Sequence, residues 1–212
     1  MRWLSKVMVM LGLLLAGLAQ AAPQQGKDYT LLAKPMPVAV PGKIEVIEFY
    51  WYGCPHCNAI EPFVEAWSAK LPKDVNFRRI HINWEDSSRQ GHVKLFLTLQ
   101  AMGLDTKLQP AVFKAIFQDK LELRREEVLY SWLKTQGVDV EKFKGIYNGF
   151  SMGVMQTNLA KLTRDYGVDG VPRFIVNGRY VARGIEGAGE ESVLKNVDAL
   201  IAMERSKSGK AK

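Results

Sequence analysis

The sequence predicts an α/β fold in which a β-sheet domain is interrupted by an all-helical insertion. Residues 44–52 (IEVIEFYWY) form a nearly continuous run of apolar, β-branched and aromatic residues, typical of a strand buried on both faces. Residues 87–166 instead carry apolar positions at helical spacing. Strand character returns at residues 174–182, where Asn177-Gly178 favours a type I′ hairpin turn. Because strand patterns lie on both sides of the helical stretch, an insertion explains the order better than two domains in series.

The first part of the sheet domain contains three predicted strands and one helix. A short strand at residues 29–32 precedes the buried strand, which Gly53 ends. A helix follows from Cys54 to about residue 71, and Pro62 within it predicts a kink. The apolar pattern at residues 75–84 then predicts a further strand.

The helical insertion is predicted as a series of short helices. Ser87-Ser88 is a candidate N-cap for a helix that ends at Gly103, and Asp139 is a candidate N-cap for a helix over residues 140–147. Apolar spacing predicts the other helices around residues 108–117, 128–133 and 151–166.

The first residues have the pattern of a secretory signal peptide. Arg2 and Lys6 precede an apolar run over residues 7–18, and the small residues of Ala19-Gln20-Ala21 match a cleavage site. No later stretch is apolar enough to span a bilayer. We therefore expect export, to a bacterial periplasm, where disulfides can form.

These patterns divide the chain into four parts. Residues 1–21 are the cleaved signal peptide, and residues 22–86 together with 167–204 form the discontinuous sheet domain around the insertion at 87–166. The sheet domain closes with a helix predicted at residues 190–202. Residues 205–212 are polar and basic, which predicts a flexible tail.

The composition excludes several classes of protein. With 47% apolar residues the chain is neither disordered nor collagen-like, and two cysteines cannot form a multi-disulfide scaffold. The formal charge of +7 is accompanied by no nucleic-acid-binding motif, so we expect a solvated basic surface and no nucleic-acid partner.

The two cysteines form the motif Cys54-Pro55-His56-Cys57 at the start of a helix. Unpaired N–H groups and the helix dipole favour an anion there, which predicts a stabilised thiolate at Cys54. Cys57, one turn further, is predicted to be more buried and to act as the resolving thiol, while His56 can add positive charge or a hydrogen bond. A stabilised thiolate is a good leaving group, so the Cys54–Cys57 disulfide is expected to be an oxidant.

Two other roles for this pair remain open. A structural disulfide closing so short a loop would constrain the unfolded chain little. A zinc site needs two more ligands, and His81 and His92 lack the spacing of a second ligand pair. The pattern therefore favours redox chemistry.

The motif CPHC after the strand ending EFYWYG, together with a GVP–F–VNG segment at residues 170–178, closely resembles the DsbA family of thiol:disulfide oxidoreductases. The resemblance covers nearly the whole chain after the signal peptide and implies a thioredoxin-like fold with an inserted all-helical domain. It implies that Cys54 is the nucleophilic cysteine linked to substrate and Cys57 its buried partner. Pro55 and His56 match the variable dipeptide between them.

The resemblance also implies a set of supporting residues. Pro172 matches the cis-proline packed against the disulfide, and Val171 would offer backbone hydrogen bonds to an extended substrate. Glu48 matches a buried acid that can relay a proton for Cys57. Glu61 and Arg79 match its charged neighbours.

By the same resemblance, the substrates are unfolded or reduced exported proteins. A membrane quinone reductase of the DsbB type would reoxidise the enzyme. Neither a cofactor nor a metal is expected, because the disulfide itself is the reagent, and the protein is expected to be a monomer. A disulfide isomerase or reductant of the same fold and a periplasmic metal-binding module are the alternatives.

Overall fold

The structure, a computed structural model, describes residues 22–209. The predicted signal peptide therefore lies outside the described residues. The strands are β1 (Tyr29–Leu31), β2 (Ile44–Tyr50), β3 (Val75–His81), β4 (Arg173–Val176) and β5 (Tyr180–Ala182). The helices are α1 (Pro55–Ser68), α2 (Gln90–Ala101), α3 (Asp105–Phe117), α4 (Glu126–Thr135), α5 (Val140–Tyr147), α6 (Met152–Asp165) and α7 (Ser192–Lys207).

One five-stranded sheet, in the order β1-β5-β4-β2-β3, is the frame of the protein. Strand β2 is parallel to β3 and antiparallel to β4, and all seven of its residues are buried. The predicted strand over residues 44–52 stops at Tyr50, because the backbone turns into α1, with the Cys54 N–H donating to the Trp51 carbonyl at 3.0 Å. The central buried strand is thus confirmed and leads directly into the cysteine motif.

The β4–β5 hairpin has the predicted turn. Asn177 and Gly178 have positive φ values of 51° and 60°, as a type I′ turn requires. Glycine is also needed because a Cβ at Gly178 would lie 2.1 Å from the Met36 carbonyl oxygen. The Met36 N–H donates to the Gly178 carbonyl at 2.8 Å, which attaches the segment after β1 to the hairpin.

Helices α2 to α6 lie between β3 and β4, where the sequence predicted the insertion. The cap predicted at Ser87-Ser88 is wrong. These residues form a short 3₁₀ turn capped by Asp86, whose carboxylate accepts from the Ser88 N–H at 2.8 Å, and α2 begins only at Gln90. The cap predicted at Asp139 is confirmed by its hydrogen bond from the Lys142 N–H at 3.0 Å.

Over residues 46–49 the side chains of β2 alternate between the two sides of the sheet, as the pleat of a strand requires, whereas Tyr50 at the strand end joins the same core as Phe49. Ile47 and Phe49 belong to the core shared with the helical insertion. Val46 belongs to the core between the sheet and helices α1 and α7. Glu48 is on the same side of the strand as Val46 by this alternation, and is buried.

Helix α7 is longer than predicted. It runs from Ser192 to Lys207, past the expected end at residue 202 and into the segment 205–212 assigned to a flexible tail. Arg205 is the reason, because its guanidinium donates two hydrogen bonds to Asp74, at 2.6 and 2.9 Å. The correction is that the helix ends after Lys207. Within the described part of the chain, no helix is long and apolar enough to cross a membrane.

Candidate active site

Cys54 is the N-cap residue of α1. Its backbone is extended, its carbonyl accepts the first helical hydrogen bond from Asn58 at 3.0 Å, and Pro55 occupies the first turn, where a missing N–H is tolerated. The Cys57 N–H donates to Cys54 Sγ at 3.3 Å. Both cysteines are free thiols in this structure. Cys54 therefore sits at the end of the helix that favours negative charge.

Hydrogen bonding at this helix end lowers the pKa of Cys54 from 9.0 to about 6. The largest cause is a hydrogen bond from the Cys57 thiol, and the backbone N–H groups of Cys57 and His56 add to it. Burial acts to raise the pKa of Cys54, whereas the charge of His56 acts to lower it. At neutral pH, Cys54 is therefore mainly a thiolate.

Cys57 behaves in the opposite way. Its side chain is fully buried, and burial raises the pKa of its thiol far above the ordinary value. The neighbouring Cys54 raises it further, as does Glu48 when its carboxyl is ionised. In the reduced protein Cys57 therefore holds its proton while Cys54 has lost its own.

Glu48 is a buried acid, only 1% exposed. Burial raises its pKa from 4.5 to about 8, although the adjacent Arg79 acts to lower it. The Arg79 Nε–H donates to Glu48 Oε2 at 3.1 Å. Glu48 is therefore mostly protonated at neutral pH, which fits the requirement for a proton donor.

Glu61 and Arg79, both expected as charged neighbours of Glu48, are buried beside it. Arg79 Nη1 lies 3.3 Å from Glu61 Oε1, and burial raises the pKa of Glu61. Two further members of this cluster, Glu65 and Gln109, were not predicted from the sequence. Arg79 Nη1 donates to Glu65 Oε1 at 2.5 Å, and Gln109 Nε2, from the helical insertion, donates to Glu61 Oε2 at 3.1 Å.

The loop before β4 contacts the first cysteine. The Val171–Pro172 peptide bond is cis, as the resemblance implied for Pro172. Cys54 Sγ lies 3.5 Å from the Val171 carbonyl oxygen, to which it can donate when the thiol is protonated. The structure thus brings together residues 117 positions apart in the chain.

His56 is at the surface, with 68% of its side chain exposed. Its Nδ1 is 2.6 Å from Glu190 Oε1, in the loop before α7. Sequence reasoning missed Glu190, since nothing in the local pattern relates a loop carboxylate to a residue 134 positions away.

His81 and His92 are buried among aromatic rings. Burial lowers the pKa of His81 to about 3 and that of His92 to about 4, so both are neutral. His81 Nε2 accepts from the Tyr52 N–H at 3.3 Å. Residues 22–209 contain no group of three or more His, Cys, Asp or Glu side chains arranged to hold a metal ion.

A mixed sheet interrupted by helices, with two cysteines at a helix N-terminus beside a cis-proline, defines a redox protein of the thioredoxin-like class. The model of the family described as "DSBA-like thioredoxin domain" matches residues 45–197, and the chain belongs to this family.

Named relatives agree with this assignment. The chain is 45% identical over 181 residues to the thiol:disulfide interchange protein DsbA of Burkholderia cepacia, covering 84% of each protein. It is 42% identical over 185 residues to the protein of that name from Pseudomonas aeruginosa PAO1, covering 87% of each. A crystal structure of Pseudomonas aeruginosa DsbA superposes with a TM-score of 0.79 at 42% identity, covering 87% of this chain and 95% of that one.

The protein is therefore a thiol:disulfide oxidoreductase, and the predicted thioredoxin-like fold with a helical insertion is confirmed.

Proposed function

We propose that this oxidoreductase donates a Cys54–Cys57 disulfide to reduced, newly exported proteins through a mixed disulfide at Cys54. The observation that carries the proposal is the contrast between the two thiols, one with a pKa lowered to about 6 and the other with a pKa raised by burial. The sulfur whose thiolate is stabilised is the better leaving group, so a disulfide containing it is readily reduced.

The first step makes the mixed disulfide. A substrate thiolate attacks Cys54 Sγ, the Cys54–Cys57 bond breaks, and Cys57 leaves as a thiolate. Because burial raises the pKa of Cys57, this thiolate takes up a proton. We assign the donor role to Glu48, whose pKa of about 8 keeps it protonated at neutral pH.

The second step releases the product. A second substrate thiolate attacks the substrate sulfur of the mixed disulfide, and Cys54 leaves as a thiolate. The substrate has then lost two electrons and gained a disulfide, while the enzyme holds the two electrons as a dithiol. The low pKa of Cys54 favours this departure.

Backbone and surface groups would orient the substrate around Cys54. The Val171 carbonyl oxygen lies 3.5 Å from the Cys54 thiol, and Pro172 follows it through the cis peptide bond. An extended substrate segment could exchange hydrogen bonds with Val171 in the manner of an added strand. Pro55 and His56 follow Cys54 directly in the chain, and His56 adds positive charge near the thiolate.

The cellular setting belongs to the same proposal. The leader-like residues 1–21 support export to the periplasm, where disulfides persist. Reoxidation by a membrane quinone reductase of the DsbB type would complete the cycle, and no other cofactor is required. We propose that the enzyme acts as a monomer.

A refolding assay tests the proposal. The oxidised protein should convert a fully reduced two-disulfide substrate to its oxidised form, with one disulfide formed for each enzyme disulfide consumed. A Cys54→Ser variant is the matched control and should form none.

Efficient rescue of scrambled substrate by the reduced protein would identify an isomerase instead. Tight one-to-one copper or zinc binding by reduced protein that lacks oxidase activity would identify a metal-binding module.

A further inference from the structure

Three carboxylates share one guanidinium beneath the cysteine pair. Arg79, from β3, contacts Glu48 through Nε at 3.1 Å and contacts both Glu61 and Glu65 through Nη1, at 3.3 and 2.5 Å. The cluster therefore has more potential negative charges than positive ones, and the position of the single guanidinium decides which carboxylate is neutralised.

The three carboxylates differ in their access to water. The exposed side-chain fraction is 1% for Glu48 and 6% for Glu61, but 42% for Glu65. Water solvates a charge on Glu65, whereas a charge on either of the other two must be compensated by the protein alone. The shortest of the Arg79 contacts is made to Glu65, the carboxylate that needs the guanidinium least.

A negative charge on Glu48 is poorly compensated as a result. It receives one hydrogen bond from Arg79, and among the described residues its other oxygen, Oε1, has no hydrogen-bond partner. Arg79 Nη2 is likewise without a hydrogen-bond acceptor within residues 22–209. A paired Arg–carboxylate contact would use two parallel hydrogen bonds. The observed contact is single: Nη2, the nitrogen beside Nε on the guanidinium, makes no hydrogen bond within residues 22–209, while Glu65 holds the guanidinium at Nη1.

We infer that Glu65 is a positioning residue of the redox site: by holding the Arg79 guanidinium, it leaves the buried Glu48 carboxyl without a full countercharge and therefore in its proton-donating form. The inference rests on the proposed function, in which Glu48 supplies the proton that Cys57 needs.

The groups acting on Glu48 lie on several elements. Arg79 is on β3, Glu61, Glu65 and Cys57 are on α1, and Tyr50 is two residues away on β2. The negative charges of Glu61 and Glu65 both act to raise the pKa of Glu48, while Arg79 acts to lower it. Removing the charge of Glu65 takes away one repulsion that raises the pKa of Glu48. It also frees Arg79 to strengthen its contact with Glu48, so both effects lower the pKa of Glu48.

The proton balance of the step is simple. When the disulfide opens, the Glu48 carboxyl gives its proton to the Cys57 thiolate, which leaves a Glu48 carboxylate and a Cys57 thiol. A Glu48 that is already ionised has no proton to give. Loss of the Glu65 charge should therefore reduce the rate of mixed-disulfide formation at neutral pH and leave it less affected at acidic pH.

The test compares Glu65→Gln with Glu122→Gln. Glu122 is a matched control, because its side chain is also 42% exposed and it also contacts an arginine, Arg124, at 2.5 Å. The Glu48 carboxyl carbon is followed by NMR in the oxidised, carboxyl-labelled protein and assigned by its loss in Glu48→Gln. We expect its titration midpoint to fall by about one pH unit in Glu65→Gln and to stay unchanged in Glu122→Gln. In Glu65→Asp, which keeps the charge, the midpoint should return most of the way to that of the unaltered protein.

An unchanged midpoint in a folded Glu65→Gln protein would overturn the inference, and so would an equal shift in Glu122→Gln. If Glu65→Gln does not fold, the Glu65→Asp and Glu65→Ala proteins give the same comparison, and equal midpoints in these two would overturn it. Oxidation of reduced substrate by the unaltered protein is measured in parallel. If the titration behaves as expected but that activity is absent, the proposed function fails and the electrostatic role of Glu65 stands.

Discussion

Cys54 and Cys57 lie one turn apart on α1, and their surroundings move the pKa of their thiols in opposite directions. Cys54 caps the helix, accepts the Cys57 N–H and has a pKa of about 6. Cys57 lies inside the first turn with no exposed surface, and burial raises its pKa. Hydrogen bonding to the charged form outweighs burial at the first position, and burial prevails at the second.

This difference explains how one disulfide can have two unequal sulfurs. The reduced form alone contains the Cys54 thiolate, so every interaction that stabilises the thiolate favours reduction of the enzyme and oxidation of its substrate. Because the folded pKa of Cys54 is depressed, the stabilisation of the folded, reduced protein is fully present above the ordinary pKa of 9.0 and is lost as the pH falls through about 6.

The largest effect should come from replacing either sulfur. Cys54→Ser should abolish oxidase activity, because no other sulfur in the protein accepts the substrate thiolate. Cys57→Ser should instead accumulate mixed disulfides when it is incubated with a disulfide-containing substrate. The Cys54 thiolate attacks the substrate disulfide, one substrate sulfur leaves as a thiolate, and the Cys57 thiol that would release the bound substrate is gone. Non-reducing electrophoresis and intact-mass measurements distinguish the two, and trapped adducts on Cys54→Ser would reverse the assignment.

Glu48→Gln should remove a pH-dependent loss of stability. The folded pKa of Glu48 is raised to about 8 from 4.5, so the folded state binds the extra proton and becomes less stable as the pH rises through that window. The free energy of unfolding of Glu48→Gln relative to the unaltered protein should therefore increase by a few kcal/mol between pH 4.5 and 8. Urea unfolding of the oxidised proteins measures this difference, and a constant difference would show that Glu48 is ionised throughout.

Replacing only the hydrogen-bond donor at position 57 should give a smaller effect. The hydrogen bond from the Cys57 side chain is the largest cause of the low pKa of Cys54. Cys57→Ala removes that donor, and the absorbance titration of the Cys54 thiolate should move upward by about one pH unit. Cys57→Ser keeps a hydroxyl donor and should stay near 6. Equal midpoints in the two variants would contradict this cause.

His56→Ala should have the smallest effect. The charge of His56 lowers the pKa of Cys54, but it is the weakest of the causes given above, and the side chain is mostly exposed. The thiolate midpoint should rise by less than about half a pH unit, because solvent screens exposed charges. A rise as large as that in Cys57→Ala would mean that His56, and with it the Glu190 contact, sets the chemistry of the site.

Local patterns predicted the features that depend on local physics. The cap at Asp139, the positive φ values at Asn177-Gly178 and the placement of Cys54 at a helix N-terminus each follow from a few adjacent residues. The burial of Glu48 followed from the apolar run around it.

Features that depend on contacts between residues far apart in the chain could not be predicted from local sequence patterns. Arg205 extends α7 by bonding to Asp74, 131 positions away, so periodicity ended the helix too early. Gln109 reaches Glu61 from the helical insertion, and Glu190 reaches His56 from a loop. Glu65 offered one usable indication, since it lies four positions after Glu61 and so shares its helix face.

The equilibrium between the Cys54–Cys57 pair and glutathione shows directly whether stabilisation of the Cys54 thiolate makes the protein an oxidant. At pH 7, above the pKa of about 6, we predict a reduction potential far less negative than the roughly −270 mV of thioredoxin. A thioredoxin-like value would contradict it and make the protein a reductant.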